Sequence, residues 1–251
     1  MLLLPQYGSV TSMKVILIFF AILALCVLAY WMIVFYERVQ ISRSLMQAAR
    51  PFVLTSTNYG KTILVLGDST AIGVGASRPR DSIAGRVAAE VGATYVENNA
   101  ATGAKVAQVF NQVDAAQLGH YDIILLQVGG NDIIRFGNAD LAKANLKDIL
   151  RILKEKGDTV YLMMAGDVGR AKLFPPFVRP FHHFLSMQYR ANFIEAAEQA
   201  GVIYIDLYVS KEKDPFVKDP LRYHAKDGLH PSTDGYDSWF KKLAPQLSPI
   251  E

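Results

Sequence analysis

A serine, a histidine and an aspartate occur in this sequence at positions from which they could act together. Ser69 comes shortly after the apolar run 62–66, and Asp227 and His230 stand near the C-terminus, separated by only two residues. Serine becomes a good nucleophile only when a base accepts its proton, and histidine can do so at neutral pH. Asp227 could hold the other ring nitrogen, which keeps the imidazole in the tautomer that faces the serine. The residue types and their spacing predict nucleophilic catalysis by Ser69.

Candidate hydrogen-bond donors for a negatively charged oxygen follow three different predicted strands. They are the backbone N–H groups of Ser69 and Gly103 and the side-chain amide of Asn131. Catalysis of acyl transfer needs such donors because negative charge develops on the carbonyl oxygen in the transition state. The carboxyl ends of parallel strands meet at one edge of a sheet. We therefore expect these donors to share one crevice with Asp227 and His230.

Strand-like and helix-like segments alternate from residue 60 onward. The strands are continuously apolar, which is typical of strands buried on both faces of a parallel sheet. We predict strands at 62–66, 93–97, 121–128, 159–164 and 202–207, and helices at 82–91, 104–118, 139–156, 184–200 and 232–243. Asp81 is the predicted N-cap of the first of these helices. The predicted fold class is α/β, with helices on both faces of a mostly five-stranded parallel sheet.

Four short blocks carry a resemblance to a known family. They are Gly67-Asp68-Ser69, Gly103, Gly129-Gly130-Asn131-Asp132 and Asp227-Gly228-Leu229-His230. In this order they resemble the four blocks of the SGNH, or GDSL, hydrolases, and the resemblance extends over about residues 62–243. The longer stretch Gly-Asp-Ser-Thr (67–70), followed by glycines at 73 and 75, most resembles bacterial lysophospholipase/acyl-thioesterase-like members of that family.

The resemblance implies a fold, an activity and a set of roles. The fold would be the three-layer α/β/α sandwich of the flavodoxin-like SGNH type. The activity would be that of an esterase, lipase or thioesterase, with Ser69, Asp227 and His230 as the triad. Ser69, Gly103 and Asn131 would form the oxyanion hole.

Four other functions would use the same residues or a similar α/β fold. Acyl transfer to a sugar or lipid, and removal of O-acetyl groups from carbohydrate, would need the same triad and stay open. A non-catalytic anchored binding module is disfavoured because Ser69 and His230 are both present. A dinucleotide-binding protein is also disfavoured, because Arg78 stands where the third glycine of its fingerprint belongs.

The segment 15–36 is a predicted transmembrane helix. Residues 15–35 contain no charged residue, and as a helix they would span about 30 Å, the thickness of the hydrocarbon core of a bilayer. A cleaved signal peptide is the alternative, but the run exceeds a typical h-region and no clear small-x-small site follows it. We expect an uncleaved single-pass anchor in a bacterial inner membrane. The flanking charges leave open which side carries the domain.

The anchor divides the chain into four parts. We predict an N-terminal tail (1–14), the transmembrane helix (15–36), a juxtamembrane linker (37–59) and one hydrolase domain (60–251). The balance of 26 basic against 23 acidic residues argues against nucleic acid as a partner. Because no cluster of histidine, cysteine and carboxylate residues has the spacing of a metal site, we expect no metal and no cofactor. The expected partners are an ester-containing small molecule or lipid and, through residues 15–36, the membrane.

The segment 173–181 is the candidate for choosing the substrate. Its prolines are predicted to preclude a regular helix, and it is rich in aromatic residues. Phe174 and Phe177 could line an acyl chain or touch the bilayer, although packing on the core is the simpler interpretation. His182 and His183 are predicted to follow in a loop that could face the site.

Overall fold

A six-stranded sheet forms the centre of the protein. The computed structural model describes residues 8–56 and 59–247, with side chains from Met13 onward. The strands are β1 (Leu54–Thr55), β2 (Lys61–Gly67), β3 (Ala93–Asn98), β4 (Tyr121–Gln127), β5 (Gly157–Met163) and β6 (Ile203–Ile205). Strands β2 to β6 are parallel, which confirms the predicted parallel sheet. The short β1 was not predicted, and it pairs antiparallel with β3 at the edge of the sheet.

The order of the strands places the carboxyl ends of β2 and β4 at a topological switch point. The order is β1-β3-β2-β4-β5-β6. After β2 the chain moves outward to β3, and it then crosses back to add β4 on the other side of β2. Open α/β sheets bind their ligands in the crevice at such a point. Ser69 and Asn131 follow these two strands.

Helices cover both faces of the sheet. Ten helices are described: α1 (Gly8–Ala48), α2 (Ser69–Ile72), α3 (Ile83–Glu90), α4 (Val109–Asp114), α5 (Gly130–Ile134), α6 (Ala139–Lys156), α7 (Arg179–Ala200), α8 (Pro215–Lys218), α9 (Pro220–Tyr223) and α10 (Thr233–Leu243). Successive strand residues point to opposite faces. Leu64 and Leu66 of β2 pack in the layer of α4, α6 and α7. Ile63 and Val65 pack in the layer of α3 and α10. The three-layer α/β/α architecture is therefore confirmed.

Two predicted helix starts differ from the structure. Ser82 rather than Asp81 caps α3, because the Ser82 Oγ accepts a hydrogen bond from the backbone N–H of Gly85 at 3.3 Å. Asp81 instead pairs with Arg78 at 2.9 Å. The helix predicted at 104–118 is a 3₁₀ turn at Val106–Gln108 followed by the short α4.

Helix α7 begins earlier than the sequence predicted. It starts at Arg179 with Pro180 in its first turn, a position where the missing N–H of proline costs no helical hydrogen bond. His182 and His183 are therefore helical, and the prediction that they lie in a loop was wrong. His182 is buried, and its ring stacks on Phe136 at 4.8 Å.

Helix α1 joins the apolar N-terminal segment to the domain without a break. Within the described residues, one helix is long and apolar enough to cross a membrane: Met13–Ala48, with a window of mean hydropathy 2.8. Residues 1–7 of the predicted tail (1–14) lie outside the described residues. In the predicted linker (37–59), the helix continues to Ala48 and β1 follows, while residues 57 and 58 lie outside the description. Beyond the apolar run, Val39 packs against the core and Ser42 is buried.

Candidate active site

Ser69 lies at the first residue of a helix that follows β2. Gly67 ends the strand with φ of 130°, and a Cβ there would lie 1.8 Å from the carbonyl oxygen of Gln127. Only glycine fits this position, because the chain must turn sharply against β4. The Asp68 carboxylate then accepts hydrogen bonds from the backbone N–H of Thr70 at 2.8 Å and from its hydroxyl at 2.7 Å. The strand end and the helix cap together hold Ser69 at the edge of the sheet.

The Gln112 side chain also holds the end of β2. It accepts a hydrogen bond from the backbone N–H of Gly67 at 2.7 Å and donates one to the Gly67 carbonyl at 2.8 Å. These two hydrogen bonds lie beyond Val65, the last residue of β2 that pairs with β3. The sequence reasoning missed Gln112. A polar residue on the otherwise apolar face that Val109 and Val113 form on α4 is the signal that could have found it.

Replacing Gln112 with alanine should destabilise the protein. The change removes the hydrogen-bond partner of the buried Gly67 N–H and one partner of its carbonyl, and each unpaired buried group costs about 1–3 kcal/mol. We expect a loss of at least about 2 kcal/mol in the free energy of unfolding, measured by urea denaturation. The exposed Asn111→Ala, at the neighbouring position of α4, is the matched control and should change stability far less. Equal stability of the two variants would contradict this role for Gln112.

His230 lies between Ser69 and Asp227. Its Nε2 is 2.8 Å from the Ser69 Oγ, and its Nδ1 is 2.6 Å from the Asp227 Oδ2. The other carboxylate oxygen of Asp227 accepts hydrogen bonds from the backbone N–H groups of Leu229 at 3.0 Å and His230 at 3.1 Å. Gly228 allows this tight loop with φ of 68°. The three side chains are buried and in one line, so the imidazole can take a proton from the serine hydroxyl.

The Asp227 carboxylate is stabilised in its ionised form. Burial alone would raise its pKa, but the hydrogen bond from His230, the electrostatic attraction of that ring and the two backbone N–H groups outweigh burial and hold the pKa below its ordinary value. An ionised Asp227 accepts the Nδ1–H of His230. The free lone pair of Nε2 then faces Ser69, as a general base requires.

The three predicted oxyanion donors lie around one cleft. Ser69, Gly103 and Asn131 all line it. Gly103 adopts φ of 76° in the turn after β3, a conformation that favours glycine. Asn131 stands in the first turn of α5, whose start is formed by Gly129 with φ of 107°. The neighbouring Asp132 is turned away, and its carboxylate accepts a hydrogen bond from the backbone N–H of Val106 at 3.1 Å.

The cleft is about 450 Å³ in volume, the size of a small-molecule site. The lining also includes charged and polar groups that the sequence reasoning missed, among them Arg135 and His224. Burial lowers the pKa of His224 to about 4, so that this ring is neutral at pH 7. Apolar side chains in the lining come from at least five parts of the chain, including Val39 and Met46 of α1, Ile134 of α5, Leu207 after β6, Phe216 of α8 and Trp239 of α10.

The two phenylalanines predicted to contact substrate lie outside this lining. Phe174 is buried, with its ring 4.2 Å from that of His182 and 6.5 Å from that of Phe35. Phe177 is 53% exposed. The walls of the cleft beside Ser69 are formed instead by residues distant in sequence, including α1.

The residues considered for a nucleotide or metal have other roles. Glu97, which a dinucleotide-binding protein would use, accepts hydrogen bonds from the Tyr121 hydroxyl at 2.5 Å and from the Asn99 amide at 2.7 Å. Gly73 ends α2. In residues 8–56 and 59–247, no group of three or more histidine, cysteine, aspartate and glutamate residues is arranged to hold a metal ion.

Comparison with known families identifies the kind of protein. The model of the GDSL-like lipase/acylhydrolase family matches residues 65–237, from within β2 to within α10. The chain belongs to this family. The GDSL hydrolases are esterases and lipases that act on ester bonds, and this protein is an enzyme of that class. The resemblance to the SGNH/GDSL hydrolases is thereby confirmed.

Several solved structures share the fold of this GDSL hydrolase. An extracellular lipase from Streptomyces rimosus is 17% identical with a TM-score of 0.60, over 74% of this chain and 100% of that one. A lipolytic protein of the G-D-S-L family from Veillonella parvula is 18% identical with a TM-score of 0.58, over 73% and 96%. The acetylxylan esterase Axe2 from Geobacillus stearothermophilus is 16% identical with a TM-score of 0.56, over 77% and 98%. The search of curated proteins finds no match in sequence.

Proposed function

We propose that this GDSL hydrolase cleaves carboxylic esters through an acyl-enzyme on Ser69, with His230 as general base and Asp227 as its orienting partner. One observation carries the proposal. His230 is 2.8 Å from the Ser69 Oγ through Nε2 and 2.6 Å from Asp227 through Nδ1. Each group has the partner that its role requires, in the order in which the proton must move.

The reaction would proceed in two halves. The Ser69 Oγ attacks the ester carbonyl carbon while His230 takes the serine proton, and the resulting oxyanion is bound by the N–H groups of Ser69 and Gly103 and the amide of Asn131. Collapse of this intermediate expels the alcohol, which takes the proton from His230, and leaves the acyl group on Ser69. In the second half His230 takes a proton from water, the hydroxide attacks the acyl carbon, and Ser69 regains its proton as the carboxylic acid leaves.

The cleft and the N-terminal helix support an acyl or lipid substrate at a membrane. Aliphatic side chains such as Val39, Met46 and Leu207 line the cleft that contains Ser69 and suit an acyl chain better than a sugar. We propose that residues 15–36 stay uncleaved as a single-pass anchor. The continuity of α1 supports this, because the same helix contains the apolar run and the cleft-lining residues Val39 and Met46. Cleavage within the apolar run would cut this helix and separate those residues from the membrane-spanning part.

A series of esters tests the reaction and its acyl preference. The full chain in lipid nanodiscs would be assayed on aryl esters and thioesters carrying acetyl, butyryl, octanoyl and palmitoyl groups. We expect kcat/KM to rise from acetyl to octanoyl. A fluorophosphonate probe should label the protein once, at Ser69. Preference for acetyl would favour an O-acetyl esterase instead, and the absence of both hydrolysis and labelling would contradict the proposed function.

Asn131→Ala should slow the chemical step rather than weaken binding. The amide would donate to the oxyanion mainly in the transition state, so its loss is expected to lower kcat about 10²–10³-fold with little change in KM. Asn111→Ala, an exposed asparagine on α4, is the matched control and should retain full activity. A rise in KM at unchanged kcat would show that Asn131 binds the ground state instead.

A further inference from the structure

The apolar helix reaches the domain with no spacer between them. Phe35 belongs to the predicted membrane-spanning segment 15–36, yet its ring packs at 6.5 Å from that of Phe174, and both Phe35 and Val39 pack against the core. Domain residues near Phe174 must therefore lie at the level where α1 leaves the hydrocarbon.

The cleft opens just above that level. Ser42 is seven positions after Phe35, and at 1.5 Å per residue this is about 10 Å along the axis of α1. The headgroup layer adds about 5–7 Å on each side of the hydrocarbon core. Of the residues that line the cleft, Val39 lies about 6 Å beyond Phe35, within the headgroups, and Ser42 lies just outside them. Met46 lies about 16 Å beyond Phe35, further from the membrane.

Four exposed phenylalanines are connected to Phe174 through His182 or lie close to it in the sequence. We call Phe136, Phe177, Phe181 and Phe184 the phenylalanine patch; they are 57%, 53%, 65% and 69% exposed. Phe136 stacks on His182, which in turn packs on Phe174. Phe181 and Phe184 lie about one turn apart on the exposed side of α7, and Phe177 lies two positions before the helix begins. Single exposed apolar residues are common on protein surfaces, but several exposed aromatic side chains close together are typical of an interaction surface.

Three cations accompany the patch, and none has an ion pair within the described residues. Arg38 lies one turn beyond Phe35 on α1, Lys172 precedes the Phe174 loop, and Arg179 donates to the Phe174 carbonyl at 2.9 Å. Burial, followed by the charges of Arg179, Arg38 and Lys211, lowers the pKa of Lys172. The nearby Asp167 does not neutralise them, since it already pairs with Arg170 and His183. The positive charges of Arg38, Lys172 and Arg179 repel one another, and an anionic partner would relieve this repulsion.

We propose that the phenylalanine patch and Arg38, Lys172 and Arg179 bind the surface of an anionic bilayer beside the anchor, so that the cleft opens at the lipid headgroups. Aromatic side chains lie in the interface, and Lys and Arg attract anionic headgroups. The consequence for substrate, which rests on the proposed function and on the anchor, is that the enzyme acts on ester lipids of the leaflet on which it docks.

Depth-dependent quenching tests the docking without reference to catalysis. The full chain, with Cys26 replaced by alanine, would carry a fluorophore on a cysteine at Gln188, one turn beyond Phe184 on α7, and be reconstituted in vesicles containing nitroxide-labelled lipid. A label at Glu90, on α3 across the sheet, is the control. We expect quenching at 188 and none at 90. Quenching should be strong with phosphatidylglycerol and weak with phosphatidylcholine alone or at high salt.

Variants separate the two parts of the surface. Phe181→Ser with Phe184→Ser should abolish the quenching and lower hydrolysis of a vesicle-embedded ester. The same pair should leave hydrolysis of a soluble butyryl ester unchanged. Arg38→Gln and Lys172→Gln should each weaken docking about fivefold at low salt. Leu141→Ser is the matched control, because Leu141 is an exposed apolar residue outside the phenylalanine patch. It lies on α6, two positions after Ala139, whose carbonyl accepts a hydrogen bond from Asn192 of α7. Asn192 is about 12 Å from Phe184 along the axis of α7.

Other results would overturn the proposal. Equal quenching at 188 and 90, or quenching indifferent to the double phenylalanine variant, would show that the patch does not meet the bilayer. Quenching or crosslinking that follows the protein-to-lipid ratio rather than lipid charge would assign the patch to a second protein molecule. Docking observed with no ester hydrolysis would contradict the proposed function alone, whereas hydrolysis without docking would contradict this inference alone.

Discussion

Ser69→Ala will remove nearly all ester hydrolysis while leaving the fold intact. The substitution deletes the only atom that could form the acyl-enzyme, and loss of a serine nucleophile typically lowers kcat by about 10⁴–10⁶-fold. The Ser69 side chain is buried and its Oγ contacts His230, so the smaller alanine adds no strain. Turnover of an aryl butyrate by the full chain in nanodiscs is the measurement.

The exposed Ser77, eight positions further along the chain and after α2, provides a matched control. Ser77→Ala should keep normal turnover and normal labelling by a fluorophosphonate, and Ser69→Ala should lose both with an unchanged melting temperature. If Ser69→Ala hydrolysed the ester at a tenth of the normal rate, the acyl-enzyme on Ser69 would be ruled out.

Asp227→Asn will lower kcat by about 10⁴-fold, the effect of placing histidine in the wrong tautomer. The Asp227 Oδ1 accepts two backbone N–H groups, from Leu229 and His230, so the amide oxygen of asparagine would take that place. Its NH₂ group would then face the His230 Nδ1 and donate to it. The ring would carry its proton on Nε2, pointing at Ser69, and could no longer accept the serine proton.

A double variant separates this effect from a general loss of structure. Since Ser69 and Asp227 act on one proton transfer, Asp227→Asn added to Ser69→Ala should lower activity no further. The unfolding free energy of Asp227→Asn should fall modestly, because an ionised carboxylate with a lowered pKa is replaced by a neutral amide. Additive losses in the double variant would mean that Asp227 does not act through His230.

The proposed chemistry and the proposed docking meet in helix α1. Its apolar part is the proposed anchor, and one face beyond Phe35 packs on the core and lines the cleft through Val39 and Met46. An enzyme built in this way carries part of its substrate-binding wall on its own membrane segment. Substitutions at Met46 should therefore change acyl-chain preference although the residue lies outside the family-matched region, which begins at residue 65.

The sequence was informative wherever the physical signal is local. Five continuously apolar runs, each followed by glycine or polar residues, predict a parallel sheet. Strands buried on both faces are apolar throughout and do not alternate between apolar and polar residues. Glycines with positive φ at 67, 103, 129 and 228 stand where the chain must turn tightly. Short turns of this kind follow strand ends that share one edge of the sheet, so Ser69, Gly103 and Asn131 could be expected in one crevice.

Features that depend on distant contacts could not be read in this way. Gln112 looked like one more polar helix residue, yet its partner is the backbone of Gly67, 45 positions away. Asp81 and Ser82 are both good helix caps by type, and only the contact of Ser82 with Gly85 decides between them. His182 was assigned to a loop because prolines precede it, but Pro180 fits the first turn of α7.

The sequence by itself determined the order of the strands along the chain, the family blocks and the identity of the groups offered for acyl transfer, because these follow from residue type and short-range spacing. Only the tertiary structure decided that His230 reaches Ser69 at 2.8 Å across 161 positions of chain and that α1 closes the cleft. It also placed Phe174 in the core and Phe181 on the surface. Such outcomes depend on how whole helices pack against the sheet, and local pattern does not encode that packing.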